Sequence, residues 1–79
     1  MNEETRAVVK IGGREYTLKG CESEEYMHRV AIYVNKKMQD IEEKQFQISS
    51  AMLSDLTAVN LADEVLKLQD EVAKLQKEN

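Results

Sequence analysis

The side chains best suited to acid–base or nucleophilic chemistry in this sequence are the imidazole of His28 and the thiol of Cys21. A general base or a nucleophile needs a neighbouring group that activates or orients it, at a recognisable spacing. Neither residue has such a partner in the sequence. We therefore predict that His28 is a surface residue of a helix, that Cys21 is a semi-buried loop thiol, and that the chain is not an enzyme.

The sequence also has few features that would bind a metal, a phosphate group or a nucleic acid. One cysteine and one histidine are too few for the ligand sets that hold zinc, and a single cysteine cannot form an internal disulfide. The Gly12-Gly13 pair resembles part of a phosphate-binding loop, but neither G-x-x-x-x-G-K nor G-x-G-x-x-G follows. A net charge of −4 argues against binding to a nucleic-acid backbone. No cofactor, metal or nucleic-acid partner is expected.

The chain is small for a domain that folds alone, with 79 residues of which 33% are charged and 5% aromatic. Chains this short usually need a disulfide, a metal or a partner chain. Since the first two lack support, oligomerisation is expected. No apolar run approaches the ~20 residues that span a bilayer, and the acidic N-terminus lacks the apolar region of a secretory signal. These features predict a cytoplasmic oligomer without membrane insertion.

A β-hairpin is predicted over residues 5–19, where apolar and polar residues alternate around Gly12-Gly13. A two-residue Gly-Gly loop favours a tight turn, because both turn positions need positive φ. The resulting register pairs Ile11 with Arg14, Val9 with Tyr16 and Ala7 with Leu18 on one face, and Lys10 with Glu15 on the other. A lone hairpin is marginal in water, so its apolar face is expected to pack against another element.

A first helix is expected to begin after Ser23, a good N-cap residue, and to run to about Lys44. Its apolar stripe has three- and four-residue steps and consists of Met27, Val30, Ala31, Val34, Met38 and Ile41. Ile32 and Tyr33 lie off this stripe and indicate a second contact surface.

A second helix is predicted from 50 to 78, capped by Ser49 or Ser50, since this stretch has no Gly or Pro. We expect its first half, over 51–66, to be buried on two or more sides and the rest along one seam. The predicted fold class is α+β: an N-terminal β-hairpin, an amphipathic helix and a long C-terminal coiled-coil helix, in an obligate oligomer. The head would comprise 1–48, and the dimerisation helix 49–79.

The seam of the second helix follows a heptad pattern with Val at a and Leu at d, which favours parallel two-stranded pairing. An antiparallel pair would also set the g-position residues Glu64, Glu71 and Glu78 against one another. Asn60 either fixes the register of pairing or is simply a polar residue on an apolar helix. The predicted self-association residues are Leu56, Val59, Asn60, Leu61, Val65, Leu68, Val72 and Leu75.

Three blocks of the sequence resemble the ZapA family of bacterial cell-division proteins, which bind the tubulin-like protein FtsZ and bundle its filaments. Residues 9–18 resemble the opening I-x-G-x-x-[YF]-x-L hairpin of the family. Residues 31–41 resemble its A-x-x-[VL]-[ND]-x-[KR]-[ML]-x-[DE]-[IL] helix, and residues 56–64 resemble its [AL]-x-A-L-N-[IL]-A-x-E segment. The resemblance implies heads paired across a homodimer with parallel C-terminal helices. It also implies a homotetramer, by antiparallel joining of two dimers, in longer members.

The function that the resemblance implies is that of a non-enzymatic accessory protein at the mid-cell division site, which cross-links FtsZ protofilaments and stabilises the Z-ring during septation. Because FtsZ-type polymers are acidic, the candidate contacts are Arg14, Lys36 and Lys37, basic residues of the head; alternatively the two lysines merely solvate the helix. A generic coiled-coil adaptor or small holdase-type chaperone is the alternative function. A dimeric DNA-binding regulator is a third class, which the acidic charge disfavours.

Folding is expected to be coupled to dimerisation, because the amphipathic elements have nothing else to bury against. The melting temperature should therefore rise with protein concentration, and Leu68→Glu, which places a charge at a d position, should weaken the dimer. Glu71→Ala should cost at most ~1 kcal/mol, since a charge at the rim of a seam contributes little. Thermal melts at several concentrations, with sedimentation equilibrium, measure both effects. A compact monomer with a concentration-independent melt would contradict the expectation.

Overall fold

The computed structural model of this chain describes residues 4–77, so Glu78 of the predicted seam lies outside the described residues. The elements are β1 (Thr5–Ile11), β2 (Arg14–Gly20), α1 (Glu24–Lys44) and α2 (Ser50–Lys77). The predicted fold class, a hairpin followed by two helices, is confirmed. The chain divides into two units, Met1–Asp40 and Ile41–Asn79. The functional division at 48/49 stays a prediction.

The hairpin has the register that the alternation predicted. Its two strands are antiparallel, and the partners include Ala7↔Leu18, Val9↔Tyr16, Lys10↔Glu15 and Ile11↔Arg14. Gly12 and Gly13 both have positive φ, 61° and 82°, which a two-residue turn of this hand requires. Turn chemistry and side-chain alternation therefore specify the same pairing.

The core of the first unit lies between the apolar face of the hairpin and one stripe of α1. Ala7 and Val9 from β1 are buried together with Met27 and Ala31 from α1. Ile11 and Leu18 pack at the edge of this cluster. Val30, which the sequence placed on the same stripe, is 40% exposed. Successive helical residues are about 100° apart, so Val30 lies to the side of the line that joins Met27 and Ala31.

Serine side chains cap both helices. Ser23 Oγ accepts a hydrogen bond from the Tyr26 N–H at 3.1 Å, and Ser49 Oγ accepts one from the Met52 N–H at 3.1 Å. Of the two candidate caps for α2, the structure therefore selects Ser49. Between the helices, Gln47 has a φ of 56°, a left-handed conformation that residues other than glycine adopt only uncommonly.

The second unit buries little of its apolar surface. Ile41, Leu53 and Thr57 are buried, and the Thr57 hydroxyl donates to the Leu53 carbonyl oxygen at 2.7 Å. Burial of 51–66 on two or more sides is thus not reached within one chain, since Val59 is 63% exposed. Neither helix within residues 4–77 combines the length and the apolar character that crossing a membrane demands.

The two turn glycines differ in their surroundings, which gives a matched pair of substitutions. A Cβ at Gly12 would lie 2.9 Å from the Cε of buried Met38, whereas a Cβ at Gly13 would meet nothing within 4 Å. Gly13→Ala should cost only the ~1–2 kcal/mol of a left-handed alanine. Gly12→Ala should cost about 1 kcal/mol more, since it also crowds the core.

Urea unfolding of the two variants at one fixed protein concentration measures this difference. In a Met38→Ala background, which removes the crowding atom, the difference should disappear. Equal losses for Gly12→Ala and Gly13→Ala in the original sequence would contradict the packing that the structure shows.

Candidate partner-binding and self-association surfaces

The hairpin turn is hydrogen-bonded to α1 through the side chain of Asn35. The Gly12 N–H donates to Asn35 Oδ1 at 2.9 Å, and Asn35 Nδ2 donates to the Lys10 carbonyl oxygen at 2.6 Å. One amide therefore satisfies two backbone groups of the turn, which lies 23 to 25 residues away in the sequence. The alternation of the sequence did not reveal this link.

The three predicted basic contacts follow the residues of this hydrogen-bonded link closely in the sequence. Arg14 is the first residue of β2, two residues after Gly12, and it is exposed. Lys36 and Lys37 directly follow Asn35 on α1, where Lys36 is exposed and Lys37 is half-buried. We call these three residues the basic junction. The structure thus brings two segments of the candidate site to the same end of the first unit.

Lys37 has a different environment from Lys36. Its Nζ lies 5.3 Å from the centroid of the Tyr33 ring, within the range of a cation–π contact. Arg29 repeats the arrangement, with its Cζ 5.9 Å from the centroid of the Tyr26 ring. Sequence reasoning placed Tyr33 on a second contact surface of α1 but missed both cation–π contacts, although the seven-residue spacing of Tyr26 and Tyr33 was a visible signal.

The residues considered for catalysis have no catalytic geometry. His28 is exposed, and its Nε2 lies 3.5 Å from Glu24 Oε1, one helical turn away. Cys21 is exposed, so the prediction of a semi-buried thiol is wrong. It lies in the bend between β2 and α1, beyond the last pair of the hairpin. Over residues 4–77, no three His, Cys, Asp or Glu side chains are grouped to hold a metal ion.

The predicted seam on α2 is an open apolar surface in the single chain. Val65, Leu68, Val72 and Leu75 are all more than half exposed. Side chains on this side of the helix line a shallow groove of about 360 Å³: Val65, Leu68, Gln69, Val72, Ala73 and Gln76. Leu56 and Leu61, earlier on the helix, are half-buried.

A second exposed apolar stripe of α2 lies on the far side from the seam, with seven-residue steps through Met52, Val59 and Leu66. Seven residues advance a helix by nearly two turns, so these side chains share one face. Asn60 lies on neither stripe, and its Nδ2 donates to the Leu56 carbonyl oxygen at 2.9 Å. Its role in the register of pairing stays a prediction.

Charged residues separate the two stripes of α2. Lys67 Nζ donates a hydrogen bond to Asp63 Oδ2 at 2.9 Å, and both side chains are exposed. This hydrogen bond, reinforced by the charge of the carboxylate, raises the pKa of the Lys67 ammonium. An i,i+4 pair of this kind supports the helix on a face that is in contact with water in the single chain.

The comparisons with known proteins agree with one another. The profile of the family described as Cell division protein ZapA matches residues 8–79. A Cell division protein ZapA from Shouchella clausii is 40% identical over 68 residues, which cover 86% of this chain and 87% of that protein. Its counterpart from Geobacillus kaustophilus is 43% identical over 65 residues, covering 82% of this chain and 71% of the relative.

A solved structure is similar over nearly the whole chain. It is a ZapA mutant dimer from Geobacillus stearothermophilus, with a TM-score of 0.78 and 38% identity. The match covers 99% of this chain and 91% of the solved one. The arrangement of hairpin, first helix and long second helix is therefore shared with a protein that has been solved as a dimer.

Proposed function

The chain belongs to the ZapA family of cell division proteins, as three blocks of its sequence predicted, and on that premise we propose that it binds FtsZ polymers and cross-links their protofilaments at the mid-cell division site. The proposed role is structural and non-enzymatic, in the cytoplasm. The observation that supports it best is the presence, in one chain, of an exposed basic junction and an uncovered apolar seam.

The basic junction is the proposed contact with FtsZ. Arg14 and Lys36 hold exposed positive charges on a chain whose net charge is −4, so the junction differs in sign from most of the surface. An acidic polymer would be steered toward such a patch and repelled elsewhere. Lys37 adds a third positive charge, and its ammonium group is held near the Tyr33 ring.

The seam of α2 is the proposed homodimer interface. It runs through Leu61, Val65, Leu68, Val72 and Leu75, and its Val and Leu positions suit a parallel pair. The other predicted self-association residues, Leu56, Val59 and Asn60, lie off this line, and Val59 belongs to the far stripe. Covering the side chains of the seam would remove apolar area from water, which stabilises the dimer by about 25 cal/mol for each Å² buried. The far stripe through Met52, Val59 and Leu66 would remain available for joining two dimers into a tetramer.

Cross-linking would follow from joining two heads. A small, charged head offers few desolvated anchors, so a single head is expected to bind weakly. A filament repeats its binding site, and a second linked head then binds at an effective concentration on the order of millimolar. The gain in avidity is roughly 10²–10⁴ without any new contact.

The long helix suits the role of a spacer. With 28 residues, α2 extends about 42 Å at 1.5 Å per residue. It contains neither Gly nor Pro, the usual causes of sharp kinks, so it should resist bending. Weak contacts at the ends of a stiff spacer would hold filaments in alignment and still allow them to exchange as a ring contracts.

Co-pelleting with FtsZ polymers tests this function. The unmodified chain should sediment with the polymers. The variant Arg14→Glu, Lys36→Glu, Lys37→Glu should lose most of this binding, because three positive charges at the contact become negative. Binding by the unmodified chain should also weaken as salt is added.

The variant must first be shown to self-associate as the unmodified chain does, by sedimentation equilibrium. A variant that dimerises and still co-pellets normally would overturn the assignment of the basic junction. If the unmodified chain does not co-pellet at all but suppresses aggregation of an unfolded client, the holdase alternative replaces the cross-linker.

A further inference from the structure

The side chain of Asn35 forms two hydrogen bonds with the backbone at the end of the hairpin, as a neighbouring third strand would. An asparagine amide carries an acceptor and two donors in one plane, much like a peptide group. Here the acceptor takes the Gly12 N–H at 2.9 Å, and one donor reaches the Lys10 carbonyl oxygen at 2.6 Å. The backbone of the turn is therefore attached to α1 at two points by one residue.

An apolar contact fixes the same turn from a second side. Met38 lies one helical turn after Asn35 and is buried, with its Cε so close to Gly12 that a Cβ there would come within 2.9 Å of it. Met38 therefore packs beside the turn, and moving the turn away from α1 would break both hydrogen bonds of Asn35. A two-stranded hairpin lacks this constraint by itself and is only marginally stable in water.

This constraint acts on the residues of the basic junction. Arg14 begins β2 two residues after Gly12, on the hairpin face that also carries Val9 and Tyr16. Lys36 is the residue next to Asn35. The distance between these two charges therefore depends on whether the turn is held against α1.

We propose that Asn35 is a positioning residue for the partner site: it sets the spacing of Arg14 and Lys36, so that the acidic polymer meets a pre-ordered pair of charges. This inference rests on the proposed function. Without the amide, the hairpin turn would move relative to α1, and binding would have to order the two segments at the expense of affinity.

The test compares Asn35→Ala with Gln39→Ala, which removes an exposed amide from the same helix. Both are made in the full chain, and both are assayed well below their melting temperatures at concentrations where each self-associates fully. Hydrogen exchange of the Gly12 amide, followed by NMR, should become faster in Asn35→Ala and stay unchanged in Gln39→Ala. The dissociation constant for FtsZ polymers should rise roughly three- to tenfold in Asn35→Ala only.

A purely structural role for Asn35 would lower the melting temperature but leave the affinity of the folded dimer unchanged. Wild-type affinity in a folded Asn35→Ala dimer would therefore overturn the inference, whether or not the Gly12 amide exchanges faster. The charge-reversed variant separates this failure from that of the function: if it binds weakly while Asn35→Ala binds normally, the site stands and only the positioning role is wrong. If the charge-reversed dimer binds normally, both are wrong.

Discussion

The structure depends on one constraint, which is that the longest helix has more apolar surface than one chain can cover. Val65, Leu68, Val72 and Leu75 follow one another along α2 with most of their side-chain area in water. Large contiguous apolar surfaces are rare on monomers and mark sites of association. The chain also has no disulfide to limit its unfolded state. Association through this surface would therefore add stability, and the similar solved structure is a dimer.

The first unit has only a small core and is stabilised by additional contacts. Its core consists of Ala7, Val9, Met27 and Ala31, none of them aromatic. A hydrogen-bonded amide and a closely packed methionine hold the hairpin turn where burial alone is weak. A typical hydrogen bond contributes about 0.5–1.5 kcal/mol net, so the two made by Asn35 are useful to a unit with so small a core. The same contacts hold the turn that precedes Arg14 against the helix that carries Lys36, so under the proposed function stability and partner binding would depend on shared atoms.

The features that the sequence predicted are those set by neighbouring residues. The register of the hairpin follows from Gly12-Gly13 and the alternation of side chains, and Ser23 marks the start of α1 because capping is a local interaction. The link from Asn35 to the turn joins residues more than twenty positions apart, and no periodicity encodes it. A signal was nevertheless present, since asparagine is a poor helix former and Asn35 occupies the [ND] position of the family pattern.

The difference between local and long-range interactions also explains which predictions were wrong. Cys21 was expected to be semi-buried because thiols usually are, but burial depends on which elements pack over a bend, and that is a tertiary property. Val30 matched the spacing of the core stripe, yet the actual line of contact runs through Met27 and Ala31 and leaves Val30 beside it. The Tyr33–Lys37 contact depends on rotamers, which spacing alone does not determine.

The most direct test of the account is a mixing experiment, because the central claim is that one cross-link needs two joined, competent heads. Unmodified chain is exchanged with an equal amount of the Arg14→Glu, Lys36→Glu, Lys37→Glu variant, and light scattering of FtsZ filaments is compared with that from the unmodified chain alone at the same amount. In random dimers only about one quarter retain two competent heads, so the mixture should bundle less than the unmodified chain alone. Adding Leu68→Glu to the variant should reduce this interference, because such chains pair more weakly. Equal scattering with and without the pairing-competent variant would contradict the account.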